Sequence, residues 1–298
     1  MYKIFIWGIG YLYNKYINCV RIQELTGNLV VQCVTSNEEN ICMVDGYRFI
    51  PKEEIGSIEY DCCVVAVRDF LAALREAPCI GIEPQKCVPI KVFSIPFFDL
   101  EKYFNVKQSG ISIISRNCWA GLCYNYLGLP FTSPFINMFF SDGDFIKLMK
   151  NFDYYLTISL QFSGKAYDNN LKCEYPVGRL DDIYLYFNHY KNYEDAAECY
   201  YRRRQRINKR KLVFVSSTAN KSVEKEFDSV NCGQKIIFVP YDSVLKSSIK
   251  IEYTDEERNN GITVGMKSNG IASGQNPLFD MLSFLNGEKN FLRVQGVR

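Results

Sequence analysis

Short apolar runs alternate with helical stretches along this chain, and the first run ends in a glycine turn. Residues 3–7 read Lys-Ile-Phe-Ile-Trp and are followed by Gly8-Ile9-Gly10. Apolar side chains then recur at helical spacing over residues 11–24. A strand, a Gly-x-Gly turn and a helix open a dinucleotide-binding fold, where bare backbone lets a phosphate approach the helix. The pattern predicts Gly8 and Gly10 as a nucleotide-binding turn.

The same alternation continues through most of the 298 residues, which is enough chain for about two domains. It predicts strands at 29–34, 62–67, 111–115, 182–187, 212–216 and 235–239, and helices at 69–77, 145–156, 193–207, 223–227 and 278–285. Such alternation favours an α/β fold. We expect a Rossmann-like N-terminal domain with a parallel sheet (residues 1–108), and a second α/β domain with a mixed sheet (109–298). The polar run 106–110 is the predicted connector, and residues 259–276 are predicted loops.

Charge and cysteine content exclude several classes of protein. Lys and Arg total 35 against 33 Asp and Glu, which is too balanced for a nucleic-acid binder. The 12 cysteines include no Cys-x-x-Cys pair, and one histidine is too few for ordinary zinc ligation. We therefore expect a reducing cytoplasmic location and no metal. No apolar run approaches the roughly 18 residues of a membrane span, and the N-terminus lacks a signal-peptide pattern.

The glycine turn departs from the NAD fingerprint, since Tyr13 replaces its third glycine and no acidic residue ends the strand at 29–34. We therefore do not expect NAD binding and assign no cofactor, with a nucleotide-sugar as the candidate substrate. The arrangement resembles instead the small N-terminal domain of bacterial sugar acyltransferases. Residues 45–55 (Asp-Gly-Tyr-Arg-Phe-Ile-Pro-Lys-Glu-Glu-Ile) and Tyr60-Asp61 carry this resemblance. It implies nucleotide-sugar binding; the alternative is a scaffold that has lost its ligand.

Residues 115–239 resemble a bacterial family of unknown function filed as exopolysaccharide biosynthesis proteins. The matching residues are Asn117-Cys118-Trp119 with Gly121, Leu127-Gly128-Leu129, Ser133-Pro134-Phe135, Asp144-Phe145-Ile146-Lys147-Leu148, Tyr175-Pro176-Val177-Gly178, His189-Tyr190, Glu194-Asp195-Ala196, Arg202-Arg203 and Arg206-Ile207-Asn208. The resemblance implies a role in surface-polysaccharide assembly. An acidic residue is usual after the strand at 212–216, where this chain has Ser217-Thr218-Ala219.

Cys118 and His189 are the candidate reactive pair. Cys118 follows a predicted strand and opens a helix, where the helix start and Arg116 favour a thiolate. His189 ends a strand and is suited to act as a general base. The two are 71 positions apart in the sequence. The alternative is a buried cysteine packed beside Trp119 and a hydrogen-bonded histidine.

A basic run from Arg202 to Lys211 is the candidate anion site. Arginine forks match phosphate oxygens, and the family pattern carries Arg206 and Asn208. The alternative is a solvated helix face, because this helix begins with acidic residues and ends in basic ones, as its dipole favours.

Ser141-Asp142-Gly143-Asp144 offers two further interpretations. Asp142 and Asp144 form an Asp-x-Asp pair of the kind that holds a divalent ion on a nucleotide-sugar. The favoured alternative is that Asp144 caps the helix at 145–156.

Together these features predict a transferase acting on a nucleotide-activated or lipid-linked sugar. Cys118 and His189 supply the chemistry, and the predicted substrate contacts are Arg116, Asn117, Trp119, Arg206 and Asn208. A non-catalytic nucleotide-sugar sensor or assembly partner is one alternative, and a Cys–His acyl-transfer or hydrolytic enzyme is another. The sequence leaves the donor, the acceptor, the bond formed and the oligomeric state open.

Overall fold

A computed structural model of the chain describes residues 1–38, 41–169, 172–252 and 270–292. The chain divides into two compact units, one formed by Met1–Phe98 with Tyr126–Gly128 and the other by Asp99–Asn125 with Leu129–Arg298. The predicted α/β class is confirmed, with a parallel sheet in each unit. Of the tail predicted to form loops, residues 259–269 lie outside the described residues.

The first unit has the β–turn–α order that the sequence predicts. Its elements are β1 (Tyr2–Trp7), α1 (Tyr11–Leu25), β2 (Leu29–Thr35), β3 (Met43–Val44), β4 (Tyr47–Arg48), β5 (Cys62–Val65), α2 (Phe70–Glu76) and β6 (Cys87–Pro89), with 3-10 turns at Lys52–Ser57, Ala77–Ile80, Pro84–Lys86 and Ile90–Ser94. The main sheet has the order β2-β1-β5-β6, and all neighbours are parallel. Strand β1 is central and its last four residues are buried, as a doubly covered parallel strand requires.

The second unit contains the remaining elements. They are α3 (Leu100–Ser109), β7 (Ser112–Ser115), α4 (Trp119–Leu127), α5 (Asp142–Lys150), α6 (Phe152–Thr157), β8 (Gln161–Asp168), β9 (Cys173–Leu180), β10 (Ile183–Tyr186), α7 (Tyr193–Arg204), β11 (Leu212–Ser217), α8 (Lys221–Ser229), β12 (Gln234–Val239), β13 (Ser248–Lys250) and α9 (Met281–Leu285). Helix α3 covers most of the segment predicted to be a connector. Its N-cap Asp99 accepts a hydrogen bond from the Lys102 amide, and Gly110 ends it in the left-handed conformation.

Two separate sheets replace the single mixed sheet expected in this unit. One is parallel, in the order β13-β12-β11-β7, and the other is antiparallel, in the order β10-β9-β8. Strand β8 was not predicted, because its side chains are largely exposed and carry no core periodicity. Strand β9 was also missed, although four consecutive residues in its middle are buried. A buried apolar cluster packs β7, β11 and β12 against α5, α7 and α8; it includes Ile114, Phe145, Tyr200, Phe214, Phe227 and Ile237.

The helix predicted at 145–156 is two helices, α5 and α6, separated at Asn151. The predicted cap is also wrong in its position. Ser141 is the N-cap, and its hydroxyl accepts a hydrogen bond from the Asp144 amide at 3.1 Å. Asp144 lies inside the first turn, where its carboxylate accepts a hydrogen bond from the Tyr184 amide at 3.3 Å.

No helix among the described residues is long and apolar enough to cross a membrane.

Candidate functional site

Polar side chains gather at the carboxyl edge of the parallel sheet in the second unit. Residues 116–118 follow β7, and the adjacent strand β11 ends at Ser217 and leads into Thr218. Arg116 Nη2 and Asn117 Nδ2 both approach the buried hydroxyl of Ser217, at 3.5 and 3.4 Å. Open parallel sheets bind ligands beyond the carboxyl ends of their strands, so this edge is the expected place for a substrate.

The turn into helix α4 is closed by side chains from the same edge. Asn117 Oδ1 accepts a hydrogen bond from the Trp119 amide at 3.1 Å, and Ser115 Oγ accepts one from the Ala120 amide at 3.0 Å. These contacts satisfy amides that a helix start leaves without intrahelical partners. Asn117 thus has a structural role, because it joins Ser217 on β11 to the start of α4.

Cys118 is the residue from which α4 begins. Its carbonyl oxygen accepts the first helical hydrogen bond, from the Leu122 amide at 3.0 Å, which makes Cys118 the N-cap residue. The nine-residue helix therefore directs its positive end toward this position. The thiol lies where a helix favours negative charge, and its side chain is half-buried.

An extended segment brings the antiparallel hairpin to the same edge. The Phe140 amide donates to the Arg116 carbonyl at 2.9 Å, which continues the pairing beyond β7. Phe139 and Tyr186 exchange two backbone hydrogen bonds of 3.0 Å, and their rings stack with centroids 4.8 Å apart. The chain leaving β10 at Tyr186 reaches His189 three residues later. This non-local pairing explains how two residues 71 positions apart meet.

The structure places Cys118 Sγ 3.2 Å from His189 Nε2. The imidazole is exposed and the thiol is half-buried, so a ligand can reach both from solvent. A thiol within hydrogen-bond reach of an imidazole is the arrangement by which a cysteine nucleophile is activated. The pair is therefore chemically competent to form and break a bond to sulfur.

Arg116 forms an ion pair beside this pair of residues. Its Nη1 lies 3.2 Å from Asp142 Oδ1, and Asp142 Oδ2 accepts a hydrogen bond from Thr218 Oγ1 at 3.4 Å. Asp142 is the first residue of α5, where the helix dipole stabilises a carboxylate. No group of three or more His, Cys, Asp or Glu able to hold a metal occurs among the described residues. Asp142 contacts a guanidinium and a hydroxyl, and the Asp144 carboxylate accepts a hydrogen bond from the Tyr184 amide.

Arg203 braces the segment that carries the histidine. It is buried on α7, and its Nη1 donates to Tyr190 Oη at 2.8 Å and approaches the Ile136 carbonyl at 3.4 Å. Its guanidinium lies 5.2 Å from the centre of the Phe131 ring. Burial raises the pKa of Tyr190 by more than the nearby Arg203 cation lowers it. The phenol therefore stays neutral near pH 7. This contact fixes the residue that follows His189.

Three other predicted site residues do not present their side chains at this edge. Trp119 is 1% exposed and packs beside Phe238, so its indole faces the interior rather than a substrate. Asn208 lies at the amino edge of the sheet, where its amide donates to Ser112 Oγ at 2.8 Å and its Nδ2 to the Ser109 carbonyl at 2.9 Å. Arg206 is exposed in the same connection between α7 and β11. Both are separated from Cys118 by the length of β7, roughly 10 Å.

The glycine turn of the first unit has a different character. Gly8 has a φ of +104°, and a Cβ atom there would lie 3.0 Å from Val67 Cγ1 and 3.2 Å from the Ala66 carbonyl oxygen. Gly10 precedes α1 with a φ of −84°, and a Cβ atom there would meet nothing within 4 Å. Packing therefore requires glycine at position 8 but not at position 10.

Comparison with known proteins places the chain in a family. Residues 90–286, more than half of the chain, match the family described as a domain of unknown function, DUF1919. The chain belongs to the DUF1919 family. Residues 1–88 match the C2185-like N-terminal family. An uncharacterized protein of Haemophilus influenzae is 31% identical over 159 residues, which cover 52% of this chain and 74% of that relative.

Sequence reasoning missed several residues of the site in this DUF1919 chain. Ser217, Thr218, Tyr190 and Arg203 were all part of noted motifs but received no role. A usable signal existed for the first two, because Ser217 and Thr218 end a predicted strand just as residues 115–118 do, and parallel strands end at one edge. Helical spacing was a usable signal for Arg203, which follows Ala196 by seven residues and Tyr200 by three on the buried face of α7.

Proposed function

We propose that this chain catalyses thiol-dependent acyl transfer, with Cys118 as the nucleophile and His189 as its general base and acid. The supporting observation is the 3.2 Å approach of Sγ and Nε2 at the carboxyl edge of a parallel sheet, with the sulfur on the residue that begins α4. An imidazole at this distance can take the thiol proton, and the helix dipole stabilises the resulting thiolate.

The reaction has two steps on these atoms. His189 Nε2 accepts the proton of Cys118, and the thiolate attacks the acyl carbonyl of an ester or thioester donor. The leaving oxygen or sulfur takes the proton back from the imidazolium, and a thioester remains on Cys118. In the second step His189 takes a proton from an acceptor, which attacks the thioester carbonyl. The carbon–sulfur bond breaks, and the thiolate regains its proton from the imidazolium.

A burst assay with p-nitrophenyl acetate tests the first step. The wild-type protein should release a stoichiometric burst of p-nitrophenolate and carry an acetyl group on the peptide that contains Cys118, as seen by mass spectrometry. Cys118→Ala should abolish both signals, and His189→Gln should slow the burst by about a hundredfold. Cys173→Ser removes an exposed cysteine of the same unit and should behave as wild type. A burst that survives Cys118→Ala rules out this nucleophile.

A second candidate is a transferase of exopolysaccharide biosynthesis that works in the cytoplasm on a nucleotide-activated or lipid-linked sugar. It is favoured by the first unit, where unobstructed Gly10 opens α1 behind the central strand β1. A cleft of about 420 Å³ in that unit is lined by Ser36, Asn37 and Lys52 among others. The sequence motifs that resemble sugar acyltransferases in residues 45–61 and exopolysaccharide proteins in residues 115–239 motivate the same proposal.

Thermal-shift measurements with a panel of nucleotide-sugars test this candidate. Stabilisation that Lys52→Met reduces would favour it, with the Lys150→Gln variant of the second unit as the control. If no nucleotide-sugar raises the melting temperature, the first unit does not bind this class of ligand.

A further inference from the structure

A half-buried ion pair lies at the same sheet edge as the proposed nucleophile. Arg116 stands two residues before Cys118, and its Nη1 is 3.2 Å from Asp142 Oδ1. The side chains are 16% and 32% exposed. The hydroxyls of Ser217 and Thr218 adjoin this pair, at 3.5 Å from Arg116 Nη2 and 3.4 Å from Asp142 Oδ2. Four hydrogen-bonding groups from β7, β11 and α5 thus converge at this place.

The orientation of Asp142 determines what a ligand would meet. Its Oδ1 atom is buried on the Arg116 side, while the side chain as a whole is 32% exposed. Oδ2 accepts one long hydrogen bond, from Thr218, and a carboxylate oxygen has room for a second donor. The guanidinium of Arg116 lies beside it, with Nη1 toward Asp142 and Nη2 toward Ser217. A ligand at this place would therefore meet a carboxylate next to a guanidinium.

The net charge of this group selects among possible ligands. A phosphate or carboxylate would gain Arg116 but face the carboxylate of Asp142, and an ammonium group would gain Asp142 but face the guanidinium. A hydroxyl both donates and accepts, so adjacent hydroxyls satisfy both partners at once. The ion pair also offsets the positive charge of Arg116 that the sequence placed near the Cys118 thiolate.

We propose that Arg116, Asp142 and Thr218 bind the acceptor of the acyl transfer, and that this acceptor is a neutral polyhydroxylated molecule. The inference rests on the proposed acyl transfer by Cys118. One hydroxyl of the acceptor is held between Asp142 Oδ2 and Arg116, while another gives its proton to His189 Nε2. The oxygen of this second hydroxyl attacks the thioester carbonyl, and the carbon–sulfur bond breaks. An ester leaves, and the Cys118 thiolate regains its proton from the His189 imidazolium.

Deacylation kinetics test the proposal with defined probes. Protein acetylated by p-nitrophenyl acetate is mixed with methyl α-D-glucopyranoside, with D-glucuronate or with D-glucosamine at equal concentration. The neutral glycoside should accelerate loss of the acetyl group several-fold and yield acetylated glycoside, and the charged sugars should have less effect. Asp142→Asn and Thr218→Val should each reduce that acceleration by about tenfold. The initial burst, which needs no acceptor, is measured for each variant, and the acceleration is expressed relative to that variant's own rate of deacylation without sugar.

Matched variants separate binding from structure. Lys150→Gln removes an exposed ion pair on the same helix α5 and should keep the full acceleration. Thr218→Ser keeps the hydroxyl and should retain it too. An ion pair that only anchors α5 would lower the melting temperature of Asp142→Asn without changing the acceleration, and this result overturns the proposal. So does equal or greater acceleration by glucuronate.

The two proposals fail in different ways. Absence of a burst with p-nitrophenyl acetate alone refutes the thiol chemistry and the acceptor assignment with it. A normal burst followed by deacylation that no sugar accelerates refutes only the acceptor site.

Discussion

The two parallel sheets of this protein share one plan but end in different residues. In the first unit, β1 runs into Gly8 and Gly10, which offer bare backbone ahead of α1. In the second unit, β7 runs into Arg116, Asn117 and Cys118 ahead of α4, and each of these three contributes a polar side chain. The strand–turn–helix geometry is common to both units. The residues placed in the turn therefore decide which edge is suited to chemistry.

The comparison also shows what a single strand–turn–helix unit lacks. The turn after β1 is packed by residues of its own sheet, because Gly8 lies against the residues that follow β5. The turn after β7 supplies a thiol but no base. The base, His189, follows strand β10 of the antiparallel sheet, and the Phe139–Tyr186 pairing holds this strand beside the extension of β7. The Cys118–His189 pair therefore depends on residues that follow strands of two different sheets.

The largest expected effect is on the reactivity of Cys118 itself. His189→Gln removes the imidazole 3.2 Å from the sulfur, and we expect the alkylation rate of Cys118 by iodoacetamide at about pH 7 to fall by about ten- to a hundredfold. Site-resolved mass spectrometry separates Cys118 from the other eleven cysteines and provides Cys199, half-buried on α7, as an internal control.

If Cys118 and Cys199 react at equal rates in the wild type, the second edge is no more reactive than an ordinary helix surface, and the contrast between the two sheets disappears.

His189 is the only histidine of the chain, so a single imidazole signal in an NMR spectrum reports its state without assignment. That signal should shift when Cys118 is changed to Ala.

Local sequence patterns predicted most of the parallel framework. Strands such as Leu29–Thr35 and Gln234–Val239 are mostly apolar runs, so their composition alone is enough to predict buried strands. The pattern did not predict the hairpin of β8 and β9, since Gln161–Asp168 is exposed along most of its length. Helices α5 and α6 were merged because apolar spacing continues through the break at Asn151.

The site was predictable only in its parts. The position of Cys118 at a helix start follows from local sequence, as does the position of His189 beyond a strand. Their meeting depends on the pairing of Phe139 with Tyr186, which no periodicity encodes. The family pattern selected Arg206, yet Arg203 is the buried arginine of α7. It lies at helical spacing from the buried Tyr200 and contacts Phe131 and Tyr190.

The next effect concerns stability and separates the two glycines of the first edge. Gly8→Ala forces a Cβ atom against the Ala66 carbonyl at a positive φ, and we expect the free energy of unfolding to fall by about 1–3 kcal/mol. Gly10→Ala meets open space at an ordinary φ and should cost about 0.5 kcal/mol or less. Urea titration of both variants measures the difference. Equal losses would mean that position 10 is also a packing glycine, with no reason to expect a ligand there.

The smallest effect concerns a polar group of the second unit that serves stability alone. Glu224 is buried on α8; burial raises its pKa, but hydrogen bonds from Ser243, Ser248 and Tyr241 outweigh that, and the net pKa lies below the ordinary value. A lowered pKa stabilises the folded state above the pKa of the unfolded chain, and this contribution is lost as pH falls through the folded value.

Glu224→Gln should therefore be less stable than wild type by about 1–2 kcal/mol near pH 7, and the difference should shrink toward zero as the pH is lowered below about 4. Unfolding curves across this pH range measure it, and Lys150→Gln gives the baseline for an exposed charge. Alkylation of Cys118 should be unchanged in Glu224→Gln, because this carboxylate bonds only to α8, β13 and the loop after β12 in the described structure. A change in Cys118 reactivity would instead join Glu224 to the reactive edge, and burial would no longer separate the structural polar groups of this unit from the chemical ones.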